Sequence, residues 1–566
     1  MLSIVPHELF ISSQLLAYGA LVIVLLCAIS IGLSAKRGIG FAQKCHVLSV
    51  FCLSMFGLAI VSLFFGRAAH VLAPVDLWLQ LVQLNTLSSL MLALTSLIGW
   101  VITRFSDHYL QGEKQLEQYL NALTLTLLSI WLIVISNHVL VLVLLWLVND
   151  LALHRLLTFY RQRQAAAVAA AKRLIFCMFA NALMLGGALL LLQQGLSLHI
   201  DVLLQQLQGL PHLSLGTHIG LFALFAGMVL KSAPLPLHGW LLQVMEAPTP
   251  VSALLHAGII NLSGFLLLRL SSVLDHLPDV QLLLVASGTL TACIASLVMM
   301  KRISVKVMLE WSTCAQMGFM LLEIGLGAYS LALLHLIAHA LYKAYTFLDA
   351  GQTSQQVSHL NNYQKRDSGA PLNQSPLQVQ SQLKTELQTF AGSLIVLLVA
   401  GLLIWYLPIS AASQVLGLCF AAGLVSVLTS QHSRHAKHQI TMQTVILVAV
   451  VAIIGYGLLH FIFAEVVTSS TLTPPIIHLV LPLIGFGILL WLQQSVLLRT
   501  QGKLASWLHP HAFAGFYLDE YITRIISPII RYSLYGLSVK QTSPKPNDPK
   551  QNTIQQKMEC SHEYDC

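Results

Sequence analysis

Charge is what this chain has least of. Of its 566 residues only 9% are Asp, Glu, Lys or Arg, while 56% are apolar. So little charge excludes a disordered chain and an ordinary soluble enzyme, both of which rely on a charged surface. Short segments of strict apolar–polar alternation are missing too, which excludes a transmembrane β-barrel. Neither a basic stretch before the first apolar run nor a small-residue cleavage site after it is present, so that run is expected to be an anchor. Phosphate-binding glycine loops, metal-ligand clusters in register and nucleophile–base pairs are all lacking, so no catalysis and no cofactor are expected. The net charge of +8 is explained below by loop placement, and no nucleic-acid partner is expected.

What fills the chain is apolar runs of about twenty residues, the length that crosses a bilayer as a helix. Spans are expected near 14–34, 46–66, 84–104, 118–137, 139–158, 174–193, 217–243, 251–274, 281–300, 307–325, 329–350, 386–407, 411–430, 443–465 and 476–497. The fold class is therefore an all-α polytopic membrane protein of about fifteen transmembrane helices. Basic residues fall in alternate loops: Lys36, Arg37 and Lys44; Arg161, Arg163, Lys172 and Arg173; Lys301 and Arg302; Lys365, Arg366 and Lys384; Arg434 and Lys437; Arg499 and Lys503. The intervening loops 194–216 and 275–280 have none. Because cytoplasmic loops collect Lys and Arg, the N-terminus is expected outside and the C-terminus in the cytoplasm. Residues 1–83 are read as N-terminal spans, 351–385 as a polar cytoplasmic linker, 386–508 as C-terminal spans and 509–566 as an amphipathic segment with a disordered tail. Cys27, Cys52, Cys177, Cys293, Cys314 and Cys419 sit within spans as small apolar residues; Cys560 and Cys566 end the tail.

A charge at bilayer depth is costly unless paired or hydrated, so each one is a candidate for function. Arg104, Lys172 and Arg269 are expected to snorkel or line loops. Lys231 lies about fourteen residues into its span, well inside the bilayer at ~1.5 Å per residue. Pro234 and Pro236 follow, removing backbone donors and clashing with the preceding turn, so the helix breaks there. Freed carbonyls and a lysine at one depth make a polar niche of the kind transporters use. Glu246 comes next, before a Pro-interrupted helix start that favours a carboxylate, and His256 one turn into the following span. His335, His339 and Lys343 are spaced i, i+4, i+8, so they drift only about 40° and rise roughly 6 Å per step along one stripe. Imidazole takes and gives protons near neutrality, which suits a relay. Lys306, near a span end, either joins that relay or snorkels.

At these residues the chain resembles a known family. "KSAPLPLHGWLLQVMEAPTPVSALLHAG", "VKVMLEWSTCAQMGFM" and "LHLIAHALYKAYTFLDAG" are similar to the proton-pumping antiporter-like subunits of respiratory complex I and of Mrp antiporters, as is "AFAGFYLDEYITRIISPI" at 512–529. The resemblance covers roughly 84–350, read as an antiporter-like proton-translocation core. It implies that Lys231 is the lysine of a broken helix, that Lys306, His335, His339 and Lys343 form the central hydrophilic axis, and that His256 belongs with them.

The departures are informative. The family pairs its lysine with a glutamate after a tryptophan, but here Trp146 precedes Leu147 in "LLWLVNDLALHRLLTFY". Asp150, three residues on and on roughly the same helix face, is expected to pair with Lys231 instead. The later span "TFAGSLIVLLVAGLLIWYL" has no acidic or basic residue where the family normally completes its path. A shortened member of this kind resembles the membrane subunits of DAB inorganic-carbon accumulation complexes. That resemblance implies a hetero-complex in the bacterial inner membrane with a DabA-like soluble zinc subunit, like a β-carbonic anhydrase, that hydrates CO2 while this subunit conducts cations, H+ before Na+. A divergent complex I or Mrp subunit, and a scaffold that has lost conduction, are the alternatives.

Overall fold

The structure, a computed structural model, describes residues 11–36, 39–67, 81–160, 163–210, 212–242, 247–364, 412–419, 466–467, 474–493 and 503–538. These residues are helical apart from loops and a parallel pairing of Ile11–Ser12 with Gly66–Arg67. The helices in chain order are α1 (Ser13–Lys36), α2 (Phe41–Phe65), α3 (Thr86–Tyr109), α4 (Leu116–Ile135), α5 (Val139–Leu157), α6 (Gln164–Gln193), α7 (Ile200–Gln208), α8 (Leu215–Lys231), α9 (Gly239–Leu242), α10 (Thr249–Leu254), α11 (Asn261–Arg269), α12 (Ser271–Leu274), α13 (Pro278–Met299), α14 (Val305–Gly325), α15 (Tyr329–Gln364), α16 (Ile476–Leu492), α17 (Lys503–Phe513) and α18 (Leu518–Ser538). A π-helical turn, Leu255–Ile259, joins α10 to α11. The chain is a multi-pass integral membrane protein.

Among the described residues nine helices are long and apolar enough to cross a membrane, and Leu215–Lys231 and Ile476–Leu492 are shorter apolar helices. The expected span at 217–243 is divided because its helix stops at Lys231. The one at 307–325 is present as α14, whose Lys306, Glu310 and Glu323 lower its apolarity. The expected spans at 386–407 and 443–465, and most of that at 411–430, lie outside the described residues. So do Glu246 and the tail cysteines, Cys560 and Cys566. α15 runs on to Gln364, past the expected start of the linker at 351. Up to Asp519 the chain forms one compact unit, and Glu520–Cys566 is assigned to a second.

Within the first unit α13 packs along α14, α6 along α8, α2 along α3 and α4 along α5. The α6–α8 pair is close because of glycine. A Cβ built on Gly187 would lie 2.5 Å from the Gly220 carbonyl oxygen, so any larger residue would push the helices apart. Lipid gives no hydrophobic drive to helix pairing, and such small-residue contacts supply dispersion attraction instead. Trp131, Trp146, Trp311, Phe225 and Phe265 are among the large side chains fully buried between helices.

Candidate proton-transfer site

The polar niche forms where α8 ends. Lys231 is its last helical residue, Ser232 caps it, and Ala233 takes φ +55 before Pro234 and a cis Leu235–Pro236 peptide. The chain then resumes helix at Gly239. Two side chains replace the lost ladder: Thr291 Oγ1 of α13 accepts from the Leu235 N–H at 3.0 Å, and the Pro236 carbonyl meets His238 Nδ1 at 3.2 Å. Backbone freed by a proline must find such partners inside a membrane protein.

Lys231 Nζ donates to Asp150 Oδ2 at 2.6 Å and stands 4.7 Å from the centroid of the Trp146 ring, a cation–π contact. Asp150 is turned toward α8 by its neighbour. Asn149 Nδ2 donates to Ser129 Oγ at 2.9 Å and to the Thr126 carbonyl at 3.3 Å, pinning that face of α5 to α4. The next residue points about 100° away around the helix, into the space between α6 and α8. There Asp150 also accepts from Arg173 Nη2 at 3.0 Å and from Asn181 Nδ2 at 2.9 Å. One fully buried carboxylate thus serves two cations and an amide.

Arg173 is among the basic residues that the sequence reading misplaces. The sequence places it with Lys172 in a cytoplasmic loop, because the apolar run starts at 174. α6 begins at Gln164 instead, and both basic residues are buried within it. The available signal was a second stripe, since Arg173, Cys177 and Asn181 are spaced i, i+4, i+8 and line one face. Lys172 does not snorkel: it is fully buried and ion-paired with Asp519. Gly239, the first residue of α9, lies against that same Asp519 side chain, so Asp519 meets the broken helix at its second half. Arg269 is also buried, donating to the Ser136 carbonyl at 2.5 Å and the Val134 carbonyl at 3.4 Å. Arg104 is exposed, as expected. Lys44, expected in a loop, lies in α2, paired with Glu117 at 2.6 Å.

The second constellation is built on α15. The His335 and His339 rings are 6.1 Å apart and nearly perpendicular. Lys343, one turn on and fully buried, donates to Ser312 Oγ at 2.8 Å and to the Leu309 carbonyl at 3.1 Å of α14. His256, in the π turn, stacks on Phe347 with ring centroids 4.3 Å apart. His339 lies within electrostatic reach of His335, Lys343 and His256, so these four residues are brought together. No hydrogen-bond partner from the described residues reaches either ring nitrogen of His256 or His339. Buried polar atoms normally have partners, so water molecules are the natural bridge between these rings. The π-bearing span packs against both α8 and α15, connecting the two constellations. Lys306 stands apart from them: half-buried in the first turn of α14, it donates to Thr249 Oγ1 at 3.2 Å. His335 adds two partners the sequence reading did not include, Glu323 Oε2 at 2.9 Å and Gln316 Oε1 at 2.8 Å.

Comparison with known proteins gives the family. The model of the family described as NADH:quinone oxidoreductase/Mrp antiporter, transmembrane region, matches residues 136–368. The "Probable inorganic carbon transporter subunit DabB" of Hydrogenovibrio crunogenus is 37% identical over 491 residues, 84% of this chain and 88% of that protein. A second such subunit, from Halothiobacillus neapolitanus, is 32% identical over 513 residues, 87% of this chain and 90% of the relative. NADH-quinone oxidoreductase subunit L of Pseudomonas aeruginosa is 32% identical over 281 residues, 49% of this chain and 46% of that one. Among solved structures the Mrp complex from a Dietzia species matches with TM-score 0.52 and 19% identity over 97% of this chain and 59% of that chain, a likeness of fold. Identities of 37% and 32% over most of two relatives, with an antiporter-like core beneath them, decide the assignment: the chain belongs to the DabB family, within the complex I/Mrp antiporter-like superfamily.

Proposed function

We propose that this chain is the membrane subunit of an energy-coupled inorganic carbon pump in the bacterial inner membrane, with its N-terminus periplasmic and its C-terminus cytoplasmic. In this reading residues 84–350 conduct protons through Lys231, Asp150, His256, His335, His339 and Lys343. The flux drives one-way hydration of CO2 to bicarbonate in a DabA-like soluble zinc partner, which carries the chemistry. The observation that supports it most is the buried Asp150, held at once by Lys231 at 2.6 Å and Arg173 at 3.0 Å.

The arrangement suits proton transfer for a definite reason. Arginine keeps its charge at any physiological pH, whereas a buried lysine can give its proton up. With Arg173 fixed beside it, the Asp150 carboxylate stays compensated whether or not Lys231 is protonated. The lysine proton is thereby free to travel without stranding a buried anion, whose exposure to an uncompensated interior would cost several kcal/mol. An independent pump would pass that proton along a complete route of its own. The later apolar span, without acidic or basic residues, suits a conduit that hands its energy to a neighbouring subunit.

The test is growth in air of a host lacking carbonic anhydrase, carrying this chain with the zinc partner. Wild type is expected to rescue growth, and Lys231→Ala and His339→Ala to lose it. Full rescue by both variants refutes the coupling. Sodium-dependent proton exchange in vesicles without any rescue would favour the Mrp-type antiporter reading, for which the family match over 136–368 is the supporting observation.

A further inference from the structure

The hydrogen bonds around His335 extend the path beyond the stripe on α15. Glu323 lies near the end of α14 and is buried, yet it is a carboxylate at membrane depth. Its Oε2 is 2.9 Å from His335 Nδ1. Gln316, seven residues earlier and therefore on the same face of α14, places Oε1 2.8 Å from His335 Nε2. His335 is half-buried and Gln316 exposed, so this is where the stripe opens outward from the helix bundle. From here His335 leads inward to His339 at 6.1 Å.

The two partners suit a ring that changes protonation state. A neutral imidazole has one donor and one acceptor nitrogen, while the imidazolium has two donors. With the Gln316 amide as it stands, both ring nitrogens face oxygen acceptors, which matches the imidazolium. Half a turn of the amide offers its N–H2 to Nε2, which matches the neutral ring with Nδ1–H still on Glu323. His335 can therefore gain or lose a proton without moving, and without leaving Glu323 unpartnered in either state.

We propose that Glu323 is the terminal proton acceptor of the path, exchanging protons with the outside at the α14–α15 turn and passing them to His335 and then His339. It takes the place of the acidic or basic residue missing from "TFAGSLIVLLVAGLLIWYL". The proposal rests on the proton-path reading given above. In the step the neutral ring starts with its proton on Nε2, facing Gln316 Oε1. The Glu323 carboxyl proton moves to His335 Nδ1 to give the imidazolium, and the Nε2 proton leaves toward His339 as the amide turns. The ring returns to the Nε2–H tautomer by proton exchange with water before the carboxyl, reprotonated from outside, gives the next.

The alternative role for this pair is a tether between α14 and α15, and Glu323→Gln separates the two. The amide keeps the size and a hydrogen-bond acceptor, so a tether survives, but it cannot bind a proton. The experiment measures proton movement with a pH-sensitive dye in everted vesicles carrying the full chain with its zinc partner, alongside the abundance of the chain in the membrane. Glu323→Gln and His335→Asn are expected to lower the flux at least about ten-fold at unchanged abundance, as loss of an acid–base group does. Glu323→Asp is expected to restore most of it. Wild-type flux in Glu323→Gln, with His339→Ala inactive, overturns the proposal and leaves the proton path standing. Wild-type flux in Lys231→Ala and His339→Ala as well means that the path itself is not used, and the proposal falls with it. If Glu323→Gln does not accumulate, wild-type flux in His335→Asn overturns it from the other side of the bond.

Discussion

Arg173 changes what a substitution at Lys231 should do. Lys231→Arg keeps a cation beside Asp150 and can keep the stack on Trp146, so the niche should fold and the chain should reach the membrane in normal amount. Arginine does not release its proton, however, so proton flux should fall to the level of Lys231→Ala; flux near wild type in Lys231→Arg would show that the lysine acts by charge alone. Asp150→Asn is the converse test. It leaves Lys231 and Arg173 facing each other with no anion between them, and removing one member of a buried charge network costs about 3–5 kcal/mol. The expected result is a marked drop in thermal stability in detergent together with lost flux, read by a melting assay on the purified chain. Much of this residue-scale geometry was legible in the sequence: Lys231 and the helix break at its prolines, the i, i+4, i+8 histidine stripe, and Asp150 as the carboxylate paired with Lys231. What was not legible is how carboxylates and arginines choose partners across helices. Glu323 and Arg173 meet their partners at separations of twelve and twenty-three residues, and no spacing rule within one helix reaches that far.

At the scale of elements, two devices shape the site, a broken helix and a tight helix pair. The break was readable because proline acts locally, and its consequence at Lys231 follows within one turn. The π turn at Leu255–Ile259 was not, since nothing in "LLHAGI" separates an i+5 hydrogen bond from an i+4 one. Such turns are frequent at functional sites, and this one carries His256, which stacks on Phe347. The tight pair is α6 against α8, which bring Arg173 and Asn181 to Asp150 and Lys231. Gly187→Leu should force these helices apart, since its Cβ alone would overlap the Gly220 carbonyl. Overpacking of this kind typically costs 1–3 kcal/mol, roughly, and here it would also lengthen the ion-pair network. The expected outcome is reduced melting temperature and reduced rescue of growth, while Gly186→Leu, with open space beside it, should behave as wild type. Equal effects at the two positions would mean that the helix approach is not what holds the site.

For the whole molecule, orientation decides which compartment supplies the protons. Lys44, Lys172 and Arg173 are buried in helices and do not count as loop charges. Arg163 still lies at the α5–α6 turn and Lys301 and Arg302 at the α13–α14 turn, while the loop around His212 has neither Lys nor Arg. With the N-terminus outside, counting spans puts the α14–α15 turn, and with it Glu323, on the outer side, and Lys343 deeper toward the cytoplasm. Single-cysteine reporters test this directly in a chain with Cys560 and Cys566 replaced by serine, since the cysteines of the described residues are held within helices. His212→Cys should react with a membrane-impermeant maleimide in cells with an intact inner membrane. Lys114→Cys and Arg163→Cys should react only after the inner membrane is opened. The reverse pattern would invert the molecule and put the Glu323 end of the path in the cytoplasm. Protons would then have to be drawn from the side where CO2 hydration releases them, and the flux could no longer be powered by the inward proton gradient. The labelling pattern therefore bears on the energetics of the pump as well as on its topology.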